Sequence, residues 1–76
     1  MKKREFNNGN RRLMKTMREK RSVSLRQLAD ELDVNYTTIS YWENGKRYPG
    51  EGNIEKLEKF FNVSIEVLME EDPKFV

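Results

Sequence analysis

The side chains best suited to chemistry here gather around one short stretch, NYTTISYWENGK at residues 35 to 46. At about 100° per residue, a helix through it carries Tyr36, Thr37, Ser40 and Tyr41 on one side. That side offers hydroxyl donors and acceptors, aromatic edges and a Thr methyl group. Such groups suit base edges in a DNA major groove, where the methyl meets thymine and hydroxyls pair with several bases. None of the four is the Arg or Gln that makes a strong two-point base contact, so the stretch predicts recognition partly through van der Waals contact and water. The plainer reading of Thr37 and Ser40 is solvated polar positions, and two outward tyrosines also suit a protein-binding face.

Anion-binding groups bracket the stretch. Ser24 precedes a helix whose first N–H groups and dipole favour a negative charge. Asn44, Lys46 and Arg47 follow the end of the helix expected in this stretch and are placed to clamp a phosphate. Catalytic chemistry has little to work with. The sequence has no His and no Cys, which removes the common general base, the thiolate nucleophile and the usual metal ligands. GEG at residues 50 to 52 is too short for a phosphate-binding glycine loop and follows no strand. The neighbouring Glu70 and Glu71 read as solvated tail. Neither an enzyme nor a cofactor site is expected.

These groups must be positioned by a small domain. The chain has 76 residues, 36% hydrophobic and 37% charged, with a net charge of +2. The charge is unevenly spread. Residues 1 to 26 hold ten Lys/Arg against two Glu, and residues 27 to 76 hold five against eleven Asp/Glu. That division fits either solvated helices of opposite sign or a basic face for a polyanion. No apolar run approaches the roughly 18 residues of a membrane span, and no apolar h-region follows the basic MKKREF. A domain with neither disulfides nor an export signal is expected in the cytoplasm.

Every patterned segment reads as helix. A basic flexible arm is expected at 1–8, a helical domain at 9–70 and an acidic tail at 71–76. Leu13, Met14 and Met17 form a narrow apolar stripe within 9 to 21. Ser24 and Gln27 form a capping box, with Val23 and Leu28 as hydrophobic staple, before the buried face of Leu28, Ala29 and Leu32. Asp33 tolerates a left-handed conformation at the break. Asn35 then caps a third helix, stapled by Val34 and Ile39, which turns Ile39 and Trp42 inward and stops at Gly45. A fourth helix at about 53 to 62 uses Ile54, Leu57 and Phe61. Ser64 caps a short fifth helix with Ile65, Leu68 and Met69 as its apolar face. Two short helices joined by a short break form a helix-turn-helix arrangement, in which small Ala29 lets the third helix approach the second.

SLRQLADELDVNYTTISYWENGKRYP resembles the DNA-binding helix-turn-helix of the phage Cro and repressor type, also called the XRE family. Leu28-Ala29, Val34, Thr38-Ile39-Ser40, Trp42-Glu43, Gly45 and Pro49 carry the likeness, which extends over about residues 9 to 70. It implies an all-α, five-helix lambda-repressor-like domain whose third helix enters the major groove. It also implies base contacts from Tyr36, Thr37 and Tyr41, with Ser40 at a base or a phosphate, and phosphate contacts from Ser24, the Leu25 N–H, Asn44 and Lys46, beside the Arg47 read above from its place in the loop. An Arg18–Glu43 salt bridge would tie the first helix to the third. Five positions depart from the pattern. Ser22 and Asp33 stand where glycines are usual, and Leu25 replaces a Gln that reaches DNA. Glu51 replaces an apolar residue, and Phe60 replaces a small one.

The function expected on these grounds is a transcriptional regulator, a repressor that binds a double-stranded DNA operator as a homodimer. Helix five and the tail, near Ile65, Val67, Phe75 and Val76, are the expected dimer contacts. No membrane or small-molecule partner is indicated. An antitoxin-type module that neutralises a partner protein, or a pure protein-interaction domain, would use the same surface differently.

Overall fold

The computed structural model describes residues 10–75, without the side chain of Phe75. The arm read at residues 1–8 lies outside them, as does Val76. The described residues form five α-helices: α1 (Leu13–Lys20), α2 (Leu25–Leu32), α3 (Tyr36–Glu43), α4 (Glu51–Phe61) and α5 (Ile65–Leu68). A 3-10 turn follows at Pro73–Phe75. No described helix is long and apolar enough to cross a membrane.

The helices are short, so tertiary packing rather than intrinsic propensity must hold them. They close around Met14, Leu28, Ala29, Leu32, Ile39, Trp42, Leu57, Phe61, Leu68 and Met69, all buried. Leu13 and Met17 are only half-buried, so Met14 is the main contribution of α1. Phe60 lies against the core edge-on to Phe61, with ring centroids 5.0 Å apart. The bulky residue is accommodated as a flank to the core.

Side-chain caps define the boundaries. Ser24 Oγ accepts from the Gln27 N–H at 3.0 Å while Gln27 Oε1 accepts from the Ser24 N–H at 2.7 Å. Asn35 Oδ1 accepts from the Thr37 N–H at 2.8 Å. The Asn35 cap offsets part of the weak helix propensity of TTI in α3. The α4 helix begins at Glu51, earlier than the sequence pattern places it. Gly50 serves as extended N-cap, its carbonyl accepting from the Ile54 N–H at 2.8 Å. Glu51 then sits favourably against the positive end of the helix dipole.

The break between α2 and α3 turns on Asp33, left-handed at φ 58°, and the Val34 N–H returns to the Ala29 carbonyl at 3.0 Å. Gly45 takes φ 74° just past α3. Ser22 also adopts φ 58°. The serine therefore reproduces the backbone that a glycine would supply, and the α1–α2 turn is kept at the cost of local strain.

The C-terminal segment differs from the sequence reading. Glu71 and Asp72 are not a solvated tail, and the domain extends past residue 70. The Leu13 N–H donates to the Glu70 carbonyl and the Asp72 N–H to the Arg11 carbonyl, both at 2.8 Å. Arg12 and Glu71 form a single antiparallel bridge. Asp72 is only 3% exposed. Its carboxylate accepts from the Thr16 hydroxyl and from the Lys74 N–H, and Arg11 Nε lies 3.9 Å away. Spatial pairing of residues about sixty positions apart leaves no periodic trace in sequence.

Two measurements test these local arguments. Ser22→Gly relieves left-handed strain of about 1 to 2 kcal/mol and loses about 0.4 to 1 kcal/mol to greater freedom of the unfolded chain. The thermal midpoint should rise by a few degrees, and a fall would contradict the strain argument. The hydrogen bonds from Thr16 and the Lys74 N–H hold the Asp72 carboxyl below its ordinary value of 3.8. Its stabilisation is complete above that ordinary value and is lost as pH falls through the lower, folded-state one. Thermal midpoints measured from pH 6 to pH 2 should show an acid-sensitive component that Asp72→Asn removes. An identical pH profile in the variant would contradict this assignment.

Candidate nucleic-acid interface

The outer side of α3 is built from the inside outward. Ile39, Trp42 and Glu43 are buried on its inner face. Helical geometry then turns Tyr36, Thr37 and Tyr41 to solvent, and Tyr36 is 43% and Tyr41 37% exposed. Ser40 is half-buried, and its Oγ accepts from Asn44 Nδ2 at 3.3 Å. Ser40 and Asn44 are therefore joined at the edge of this face.

The helix is held by a buried ion pair. Arg18 Nε donates to Glu43 Oε2 at 2.6 Å and Arg18 Nη2 to Glu43 Oε1 at 3.1 Å. Arg18 Nη1 also donates to the Val23 carbonyl at 2.8 Å. Arg18 and Glu43 are 8% and 2% exposed. The hydrogen bonds to Glu43 raise the Arg18 pKa, outweighing the opposing effect of burial. In addition, the Glu43 carbonyl accepts from the Arg12 N–H at 2.8 Å.

Beyond α3 the chain folds back on the helix end. The Lys46 and Arg47 N–H groups both donate to the Tyr41 carbonyl, at 2.8 and 3.3 Å. Both side chains are exposed, and the Arg47 Cζ lies 5.2 Å from the Tyr41 ring centroid. At the opposite end, the Ser24 side chain is engaged in the α2 cap, with its hydroxyl proton still available as a donor. Leu25 packs its side chain against the core. Its N–H and that of Arg26 belong to the first turn, where no intrahelical acceptor exists.

Arg26 was not among the residues singled out from the sequence. It is exposed on α2, yet its Cζ lies 4.7 Å from the Tyr36 ring centroid at the start of α3. One cue was available. A cation in the first turn of a helix opposes the dipole, so its position favours an anionic or acceptor partner outside the helix.

The charge asymmetry of the sequence also has a more specific meaning. Much of the N-terminal positive excess is used inside the molecule. Arg11 Nη2 donates to Glu19 Oε1 at 2.5 Å, holding that carboxyl below its usual value. Burial pushes the Arg12 guanidinium down, while Glu71 at 3.9 Å acts in the other direction. Arg21 donates to the Phe60 and Phe61 carbonyls at 3.0 and 2.9 Å, neutralising the negative end of α4. The cations flanking α3 are Arg26, Lys46 and Arg47.

A two-helix unit with a short left-handed break, an anchored second helix and an exposed hydroxyl-rich face is the helix-turn-helix arrangement. Residues 14–68 match the helix-turn-helix family, and the chain belongs to that family. The chain is also 38% identical over 56 residues to the HTH-type transcriptional activator BcrR of Enterococcus faecalis, over 74% of this chain and 28% of that protein. It thus spans little more than a quarter of the relative's length. No solved structure gives a significant match.

The buried pair makes a distinctive prediction. Removing one partner leaves an uncompensated buried charge, at a cost of about 3 to 5 kcal/mol. A domain of this size has total stability of roughly 4 to 11 kcal/mol. Arg18→Met or Glu43→Leu should therefore lower the urea midpoint sharply. The double substitution should cost clearly less than the two singles added. Additive losses would show that the two charges are not coupled.

Proposed function

We propose that this domain is a sequence-specific double-stranded DNA-binding transcriptional regulator, reading the major groove with the outer face of α3. The observation that carries the proposal is the cationic, hydroxyl-rich surface around α3. Tyr36, Thr37 and Tyr41 are outward, arginines lie over both tyrosine rings, and Lys46 follows the helix. Tyr36, Thr37, Ser40 and Tyr41 are the proposed base contacts. Ser24, the Leu25 N–H, Asn44, Lys46 and Arg47 are the proposed phosphate contacts. Its place of action is the cytoplasm.

The proposed mode is repression by a homodimer, with half-sites about 34 Å apart along the duplex. Val67 on α5 is exposed and Ile65 beside it half-buried, which supports a symmetric contact on this helix. The printed name of the relative, a transcriptional activator, favours activation as the second reading. A promoter-reporter pair with the selected site placed over or upstream of the promoter separates the two modes.

Selection of bound sites from random duplex DNA at fixed salt tests the proposal. One sequence should be enriched, and absence of enrichment would sink specific reading. Tyr36→Ala and Tyr41→Ala should each change the chosen sites. Lys46→Ala should weaken all sequences alike and lower the slope of log affinity against log salt by about 1.

A further inference from the structure

We infer that Arg26, on α2, is a specificity-determining residue that reads a guanine through the major groove, with Tyr36 as the platform that orients it. The inference rests on the DNA-binding reading above and adds to it the two-point base reader that the α3 sequence lacks. The Arg26 Cζ stands 4.7 Å from the Tyr36 ring centroid. Among the described residues no carboxylate forms a salt bridge with it.

Three physical points favour this role. First, Arg26 sits in the first turn of α2, where the dipole disfavours a cation. Placement there gains little within the helix and is offset by an acceptor outside it. Second, a guanidinium over an aromatic face is held by cation–π attraction while its edge N–H groups remain able to donate. Those N–H groups match the O6 and N7 acceptors of guanine in a two-point contact. Third, the platform is Tyr36, the first residue of α3, and residues near the start of that helix face the bases in this docking geometry. A solvated lysine at the same place would offer the charge without the planar fork.

The Arg47–Tyr41 stack at the far end of α3 has the same chemistry but a different placement. Arg47 lies in the turn beyond the helix, where Lys46 also stands. That position suits a backbone phosphate rather than a base. Arg26 and Arg47 are thus expected to differ in what their loss does.

Site selection is repeated with the wild-type domain, Arg26→Ala, Arg26→Lys and Tyr36→Leu. Thermal midpoints confirm that the exposed substitutions leave the fold intact. The wild-type consensus should contain a G·C pair whose replacement weakens binding by roughly 5- to 150-fold. In Arg26→Ala and Arg26→Lys that one position should lose its preference while the others remain. Tyr36→Leu should weaken the preference at the same position. Substituting 7-deazaguanine there should weaken the wild-type complex and leave Arg26→Ala binding unchanged.

Equal weakening on every sequence would make Arg26 a phosphate contact and overturn the inference. An unchanged consensus in Arg26→Ala would do so too, leaving the DNA-binding reading intact. No enrichment with the wild-type domain would overturn both.

Discussion

The structure depends on one buried ion pair. Arg18 and Glu43 meet through two hydrogen bonds at nearly full burial, so both charges have given up water and each needs the other. The same arginine holds the Val23 carbonyl, which sits at the entry to α2. The backbone of the same glutamate accepts from Arg12, and the Arg12 segment in turn pairs with residues 70–72. The pair thus relates α3 to α1 and to the turn before α2, and the Glu43 carbonyl adds a separate link towards the C-terminal segment. Because the inner face of α3 is fixed in this way, its outer face is presented in a single orientation. That is what a reading surface requires, since base contacts depend on placement within a fraction of an ångström.

The arginines divide into two groups by what they touch. Arg11, Arg12, Arg18 and Arg21 act on carboxylates or helix-end carbonyls of the protein itself. Arg26 and Arg47 lie on tyrosine rings beside α3. Arginine serves both uses because its planar fork can satisfy two acceptors at once or stack without losing its donors. The acidic residues show a similar division. Asp72 and Glu43 are buried and paired, whereas Glu66 and Glu70 remain on the surface. Summed charge by sequence segment does not describe the resulting field, because neighbours in sequence fall into different groups.

What could be read in advance was mostly local. The caps at Ser24 and Asn35, the left-handed Asp33 and the inward Ile39 and Trp42 follow from spacing, since each involves residues within a turn or two. The Arg18–Glu43 pairing entered only through the family resemblance, because nothing in spacing links positions 25 apart. The structure also altered details that depend on tertiary placement. Ser22 keeps the turn that its replacement of glycine put in question, and residues 70–72 belong to the packed domain. Ser40 and Asn44 bond to one another, and Arg26 crosses from α2 to the head of α3. Each of these depends on where two helices cross or two distant segments meet, which periodicity does not encode.

The central claim is that the outer face of α3 is the surface that meets duplex DNA. Backbone amide shifts recorded while selected duplex is titrated into the isotope-labelled domain test it most directly. The largest changes should fall at Tyr36, Thr37, Ser40 and Tyr41, with Arg26, Lys46 and Arg47 at the margins. Changes concentrated on α5, with α3 undisturbed at saturating DNA, would contradict it.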